Sequence, residues 1–230
     1  MTRPAFVRAR RPEQKHQRRE AILAAARDLA VDSGVRNVSL GAVADSVGLA
    51  KSNISRYFGT REEIYLELLA EEWRDWADAV SNRLHQGHGT AAAVAALAET
   101  IVQRRLFCDL LSHGSTSLEQ NVSVPAARKF KHAVHDLVAM TGTEVARVSE
   151  LTEREGGELV AIATGLAGTL YPAANPPAAL IELYAEDHEL AASRPDVLPT
   201  LVRMLSALAI GLPALRNADT ANSAQQVSSR

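Results

Sequence analysis

Within six positions the chain carries Lys51, Ser52, Asn53, Ser55 and Arg56, and no acid falls among them. Lysine and arginine attract phosphate oxygens, while amide and hydroxyl groups hydrogen-bond to base edges. An aspartate or glutamate in that run would repel phosphates. Tyr57 follows, with two roles open to it: packing, or a phenol hydrogen bond to phosphate. Arg61 adds a further cation. Ser39 stands upstream at a helix start, where free N–H groups and a hydroxyl suit an anion. Most exposed charges are simply solvated, so the elements that carry these residues must decide between the two readings.

Those elements read as helices. From Glu13 onward, Ile22, Ala26, Leu29 and Ala30 fall on one face, and Gly34 stops the helix after Ser33. Ser39 has the chemistry of an N-cap. Leu40, Val43, Ala44 and Val47 follow at amphipathic spacing, and Gly48 ends that short helix. A third helix over residues 51–58 turns Ile54, Tyr57 and Phe58 inward and leaves the polar set outside. Two short helices joined by a glycine turn and framed by longer ones have the form of a helix-turn-helix. Its second helix would lie in the DNA major groove.

The rest is also helical in pattern. Thr60 to Glu63 reads as a capping box, with the Glu63 side chain reaching back to the cap amide. It opens a long helix over residues 61–86 through Ile64, Leu68, Trp73, Trp76 and Val80. Residues 90–113 are apolar, with a break near Arg104. Ser123 and Pro125 start a helix through Phe130, Val134, Leu137 and Val138. Another covers residues 154–170, with Leu159, Ile162, Ala163, Leu166, Ala167 and Leu170 in one stripe. Asn175-Pro176-Pro177 breaks the chain before a shorter helix over 178–192. Pro195 starts the last one, through Leu198, Leu201, Met204, Leu205, Leu208 and Leu212. The expected fold is all-α. It divides into a disordered basic arm (1–12), a three-helix helix-turn-helix DNA-binding domain (13–59), a helical body (60–215) and a disordered tail (216–230). The arm's Arg3, Arg8, Arg10 and Arg11 either reach a minor groove or add only general attraction.

Composition agrees. Aromatics make up 4% of the 230 residues, while alanine and leucine, both helix formers, are abundant. The net charge of -2 hides an asymmetry. Residues 1–60 hold 11 Lys and Arg against 5 Asp and Glu, a net of +6, and the remainder holds 14 against 22, a net of -8. A basic head on an acidic body points to an anion-binding module joined to a domain with another task. The single cysteine, Cys108, precludes an intramolecular disulfide, fits a reducing compartment and reads as a small buried hydrophobe. The arginine-rich start is not a secretory signal. The most apolar stretch, 201–215, is broken by Arg203 and Pro213, so no membrane span and a cytoplasmic location are expected. His85 with His88, and His132 with His135, suit exposed helix faces better than a metal, and no cofactor is expected. No glycine-rich phosphate loop, Gly-x-Ser-x-Gly elbow or His-Glu-x-x-His helix occurs, so an enzyme is not expected.

Residues 39–64 resemble the signature of the TetR (tetracycline repressor) family. Ser39 matches the family's capping Thr or Ser, and Val43-Ala44 its Ile/Val-Ala pair. Gly48-Leu49-Ala50 loosely matches a Gly-Val-Ser turn. Tyr57-Phe58 matches the aromatic-Phe pair that ends the recognition helix, and Arg61-Glu62-Glu63-Ile64 a Lys-Glu-Glu-Leu-like helix start. Ala50 replaces the turn serine, and Ser55 replaces a common tyrosine, so two phosphate contacts are altered. The likeness covers residues 20–73.

The resemblance implies a homodimer in which the helices near 154–170 and 195–212 pair with their symmetry mates, helped by the small residues Ala163, Ala167, Ala207 and Ala209. It implies a double-stranded, pseudo-palindromic DNA operator contacted by Ser39, Lys51, Ser52, Asn53, Ser55, Arg56, Tyr57 and Arg61. It also implies a pocket within the C-terminal helices, for which Trp73, Trp76, Phe107, Leu111, Phe130, Leu166 and Tyr171 are candidate lining residues. Such a pocket suits a small apolar or amphipathic effector that releases a repressor. The alternative is a helical adaptor or an activator controlled by a protein partner.

Overall fold

The computed structural model describes the backbone of residues 6–228 and the side chains of residues 12–216. The chain runs through α1 (Phe6–Ser33), a 3₁₀ turn (Val35–Asn37), α2 (Leu40–Ser46), α3 (Lys51–Ile54), α4 (Arg61–Leu84), α5 (Thr90–Val102) and α6 (Arg105–His113). A π turn (Gly114–Leu118) then leads to α7 (Val124–Val148), α8 (Glu153–Ala174), α9 (Ala178–Glu186), α10 (His188–Ala192) and α11 (Val197–Ser228). Among the described residues there is no strand. The fold is all-α, with a helix-turn-helix at its N-terminal end and a helical body behind it.

Local chemistry sets the boundaries. Gly34 takes a φ of 83°, which lets its amide close on the Ala30 carbonyl at 2.8 Å and turn the chain out of α1. Ser39 caps α2, its hydroxyl accepting from the Ala42 amide at 3.1 Å. Gly48, at a φ of 64°, makes the turn into α3. Ser123 caps α7 ahead of Pro125, and Thr152 with Glu155 forms a complete capping box on α8.

Several boundaries differ from the sequence expectation. Helix α1 begins at Phe6 and continues across Pro12, so residues 6–12 are helical rather than a disordered arm. Met1, Thr2 and Arg3 lie outside the described residues, as do the side chains of Arg8, Arg10 and Arg11. Regular helix in α3 stops at Ile54, and successive turns carry the chain to Phe58, whose amide donates to the Ile54 carbonyl at 3.0 Å. Glu63 does not reach back to Thr60. Its carboxylate accepts from the Gly59 amide at 2.8 Å, one residue further, while Thr60 still caps through its hydroxyl. The helix expected over 178–192 is two, because Asp187 leaves helical geometry and its side chain caps α10 through the Glu189 and Leu190 amides. Helix α11 starts at Val197 and passes Pro213 without stopping, so the backbone is helical through most of the expected tail.

One continuous core joins head and body. Ile22, Ala26, Val35, Val43, Ile54 and Phe58 fill the head, and Trp76, Leu97, Phe107, Leu110, Leu159 and Leu205 fill the body. Helix α4 is shared: Ile64, Tyr65 and Leu68 near its start and Trp76 and Val80 near its end are all fully buried. A buried carboxylate reinforces this joint. Glu72 of α4 takes Arg27 from α1 on one oxygen and Arg104, which precedes α6, on the other at 3.0 Å. Losing one arginine leaves Glu72 paired with the other, whereas losing both would strand a buried charge, at a cost of about 3–5 kcal/mol.

Candidate nucleic-acid interface

The polar set lands on one exposed corner. Lys51, Ser52, Ser55 and Arg56 are exposed, Asn53 is half-buried, and Ile54 beneath them is fully buried. The alternation follows from the helical turn: Ile54 and Phe58 point into the head, so the residues between them point out. Ser55 donates to the Ser52 carbonyl at 2.7 Å, so its hydroxyl is partly engaged. Ser39 is exposed at the start of α2. Tyr57 is half-buried and packs against the core while its edge borders the surface, so both of its expected roles fit.

Arg61 does not belong to this surface. Its guanidinium donates to the Val38 carbonyl at 2.5 Å and to the Val35 carbonyl, and lies 4.7 Å from the Tyr65 ring centre. It closes the joint between the 3₁₀ turn and α4. A cation at the first turn of a helix looks like a phosphate contact in sequence, but the two carbonyls left open by the 3₁₀ turn claim it first.

Three residues escaped the sequence reading. Lys15 and Arg18 of α1 are exposed, and with Arg56, Tyr57, Gln14 and Gln17 they line an open groove of about 920 Å³ beside the recognition turn. Their three-residue spacing on a helix was the available signal. Arg19 is the third. It donates to the Tyr57 carbonyl at 2.5 Å, pairs with Glu67 of α4, and lies 3.9 Å from the Phe58 ring centre. One side chain thereby ties the recognition turn to both long helices. Glu63 works alongside it. Burial opposes its ionisation, but the Ser123 hydroxyl and amide, with the Gly59 amide and Arg19, outweigh that and hold its carboxyl below the usual glutamate range.

The seven candidate pocket residues are dispersed among the described helices. Trp73, Trp76 and Phe107 pack on one another with ring centres 5.5–5.6 Å apart, and the Trp76 indole donates to Thr100 at 2.9 Å. They fill the interior that a pocket would need. Leu111 packs against Gly168, and Leu166 is half-buried. Phe130 floors a groove between α4 and α7, whereas Tyr171 borders a separate cleft of about 800 Å³ where α1 and the 3₁₀ turn meet α6 and α8. In that cleft the Asp109 carboxylate accepts from the Val35 amide at 2.8 Å. Cys108 is buried, and burial with Asp109 beside it pushes its thiol up to about 12. No cluster of three or more His, Cys, Asp or Glu side chains suited to a metal occurs among the described residues.

Helices α8 and α11 carry apolar side chains that the protomer leaves exposed. Ile162, Met204, Ile210 and Leu215 are exposed, Ile210 at 75%. Residues Val197–Arg216 have a mean hydropathy of 1.6 with only 17% of them buried, and by length and composition this helix alone among the described residues is apolar enough to cross a membrane.

Two family models match the chain. One, described as bacterial regulatory proteins, tetR family, matches residues 22–68, and the other, described as the tetracyclin repressor-like C-terminal domain, matches residues 70–216. Among solved structures, the chain is similar to the fatty acid degradation regulator FadR of Bacillus halodurans. That likeness has 14% identity and a TM-score of 0.53, covering 84% of this chain and 97% of that one. It is also similar to Thermus thermophilus FadR, a TetR-family transcriptional repressor in complex with lauroyl-CoA. There the identity is 18% and the TM-score 0.55, covering 84% of this chain and 93% of that one. At such identities the likeness shows the fold. No curated protein matches the chain in sequence.

Proposed function

Since the chain belongs to the tetR family of bacterial regulatory proteins and is a DNA-binding transcription regulator, we propose that it represses transcription by holding a pseudo-palindromic operator as a dimer. The observation that carries this reading is the exposed, acid-free corner of Lys51, Ser52, Ser55 and Arg56, with Lys15 and Arg18 flanking it. Cations there would hold phosphates on either side of the groove, and Asn53 and the serines would meet base edges. Ser39 would add a phosphate contact from the start of α2.

The exposed apolar side chains of α8 and α11 support a two-fold dimer through these helices. Covering them with the same face of a second copy removes the exposed isoleucines and methionine from water. It also accounts for an apolar helix in a protein that works on DNA in the cytoplasm. Two recognition turns would then meet successive major grooves about 34–36 Å apart.

The effector we propose is a small amphipathic molecule, and its role is to favour a dimer in which that spacing is wrong. Lauroyl-CoA, the ligand of the Thermus thermophilus regulator, is one compound of this class to include in a screen. Helix α4, buried in both head and body, is the proposed lever.

Selection from a random DNA pool tests the reading. Wild-type protein should enrich a pseudo-palindromic sequence, and the Lys51→Ala, Arg56→Ala double variant should enrich it weakly or not at all. A folded wild-type dimer that enriches nothing would overturn DNA recognition by this corner.

A further inference from the structure

The groove floored by Phe130 lies between α4 and the first turns of α7, on the seam between reading head and body. Its walls follow from helical spacing. Leu66, Ala70 and Arg74 lie along one face of α4, and Lys129, Phe130 and Ala133 lie along the facing side of α7. Leu66 and Phe130 are buried, whereas Ala70 and Ala133 are too short to close the gap above them. The space is about 500 Å³, within the range of small-molecule sites.

The charge on its rim is unbalanced. Glu67 is paired with Arg19, and Glu63 keeps its charge on the amides of Gly59 and Ser123, so Arg19, Arg74 and Lys129 against Glu63 and Glu67 leave the lining one positive charge in excess. Arg74 and Lys129 are exposed and make no ion pair among the described residues. Arg74 uses Nε on the Ala70 carbonyl at 3.1 Å, and Glu71 beside it is already held by Arg27 at 2.8 Å. An apolar floor with two cations at its edge that form no ion pair suits a ligand with a hydrocarbon chain and an anionic end.

We infer that this groove binds an amphipathic anion, its chain on Leu66 and Phe130 and its head between Arg74 and Lys129. The site is also placed to act on the recognition turn. Arg19 and Glu63, which line the groove, hold the Tyr57 carbonyl and the Gly59 amide. A chain lodged on Leu66, next to Glu67, crowds the Arg19–Glu67 pair and loosens the turn. The binding step stands by itself, while the effect on DNA rests on the regulator reading above.

Calorimetric titration of the full chain with dodecanoate tests the binding step, with dodecanol and dodecylamine as the uncharged and cationic counterparts. Dodecanoate should bind at one per protomer, and both counterparts about tenfold more weakly or not at all. Ala133→Trp, which fills the groove, should abolish uptake. The Arg74→Glu, Lys129→Glu double variant changes only exposed side chains, so it stays informative if Ala133→Trp does not fold, and it should weaken binding about tenfold or more. No uptake by wild type, equal uptake of dodecanol, or unchanged affinity in the charge-reversed variant would overturn the inference. Titrating the selected operator complex with dodecanoate separates the two readings. A protein that holds DNA but ignores dodecanoate sinks only this site, and one that takes up dodecanoate but holds no DNA sinks only the regulator reading.

Discussion

Arg19 donates to the backbone carbonyl of Tyr57 at 2.5 Å, so a residue of α1 fixes the end of the turn that follows α3. The same guanidinium stacks on Phe58 and pairs with Glu67, and its side chain is 29% exposed. Arg19→Ala therefore removes three contacts at once and leaves Glu67 without its partner. Losing a charge-assisted hydrogen bond of this kind costs about 1.5–3 kcal/mol. A loss of stability of that order should appear in urea titration. Operator affinity should fall by about tenfold, because the recognition turn loses its tether. Unchanged affinity in Arg19→Ala would show that α3 holds its place without α1.

Lys51 and Arg56 behave in the opposite way. Both are exposed, so alanine at either position should leave the melting temperature within a degree or so. What should change is the dependence of DNA binding on salt. Each phosphate contact removed lowers the slope of log affinity against log salt by about one. Lys15→Ala and Arg18→Ala should each give the same slope change if the α1 groove borders the duplex. A slope unaffected by all four would place the DNA elsewhere.

The head was legible in sequence because each of its boundaries is a local event. Gly34, Ser39, Gly48, Thr60 and Ile54 act through their own backbone and near neighbours, and the structure places them as their chemistry requires. What the sequence hid depends on partners far along the chain. Arg61 reads as a surface cation until the carbonyls of Val35 and Val38 are seen beneath it. Arg19 reads as one more exposed base until α4 brings Glu67 opposite. The pocket was the least legible part. Bulky aromatics such as Trp73, Trp76 and Phe107 suggest a lined cavity, but large rings close space as readily as they enclose it. The groove between α4 and α7 is marked by Ala70 and Ala133, which carry no sequence signal of their own.

Gly142 and Gly156 bring α7 and α8 into backbone contact, and neither shows in a hydrophobic pattern. A methyl group on Gly156 would run into the Gly142 carbonyl, and one on Gly142 would sit 2.5 Å from the Gly157 amide nitrogen. Gly156→Ala should destabilise the protein by about 1–3 kcal/mol, since the overlap outweighs the helix propensity gained. That corresponds to a melting temperature lower by several degrees. Gly157→Ala is the control. Its methyl would meet only a Val138 methyl at 4.0 Å, so it should be neutral or stabilising. Equal effects at the two positions would show that the helices do not cross at Gly156.

Acid should loosen the protein through two glutamates. The Ser123 hydroxyl and amide, with the Gly59 amide, hold Glu63 low against its burial. The Thr152 amide, helped by the Thr152 hydroxyl and Arg216, holds Glu155 low. A carboxyl depressed in the folded state stabilises fully above its unfolded pKa of about 4.3 and loses that contribution as pH falls through the lower folded value. The melting temperature should therefore drop as pH falls below about 4.3. Glu63→Gln and Glu155→Gln should each start lower at neutral pH and flatten the profile. A profile as steep in both variants as in wild type would assign the acid transition to other groups.

Ile210 offers the sharpest test of the dimer, because it is 75% exposed in the protomer and touches little of its core. Glutamate there should cost the folded protomer almost nothing. Facing its own symmetry mate, the same charge would be buried in an apolar seam with no partner, which is strongly unfavourable. Light scattering should therefore report about twice the chain mass of 24.7 kDa for wild type and the single-chain mass for Ile210→Glu. Circular dichroism should stay helical. Operator affinity should collapse with the dimer, since a single recognition turn reaches only one half-site. Met204→Glu, 44% exposed on the same helix, should behave alike. Should both variants remain dimeric, the seam does not run along α11, and the membrane-length apolar stretch of this helix would need a different cover.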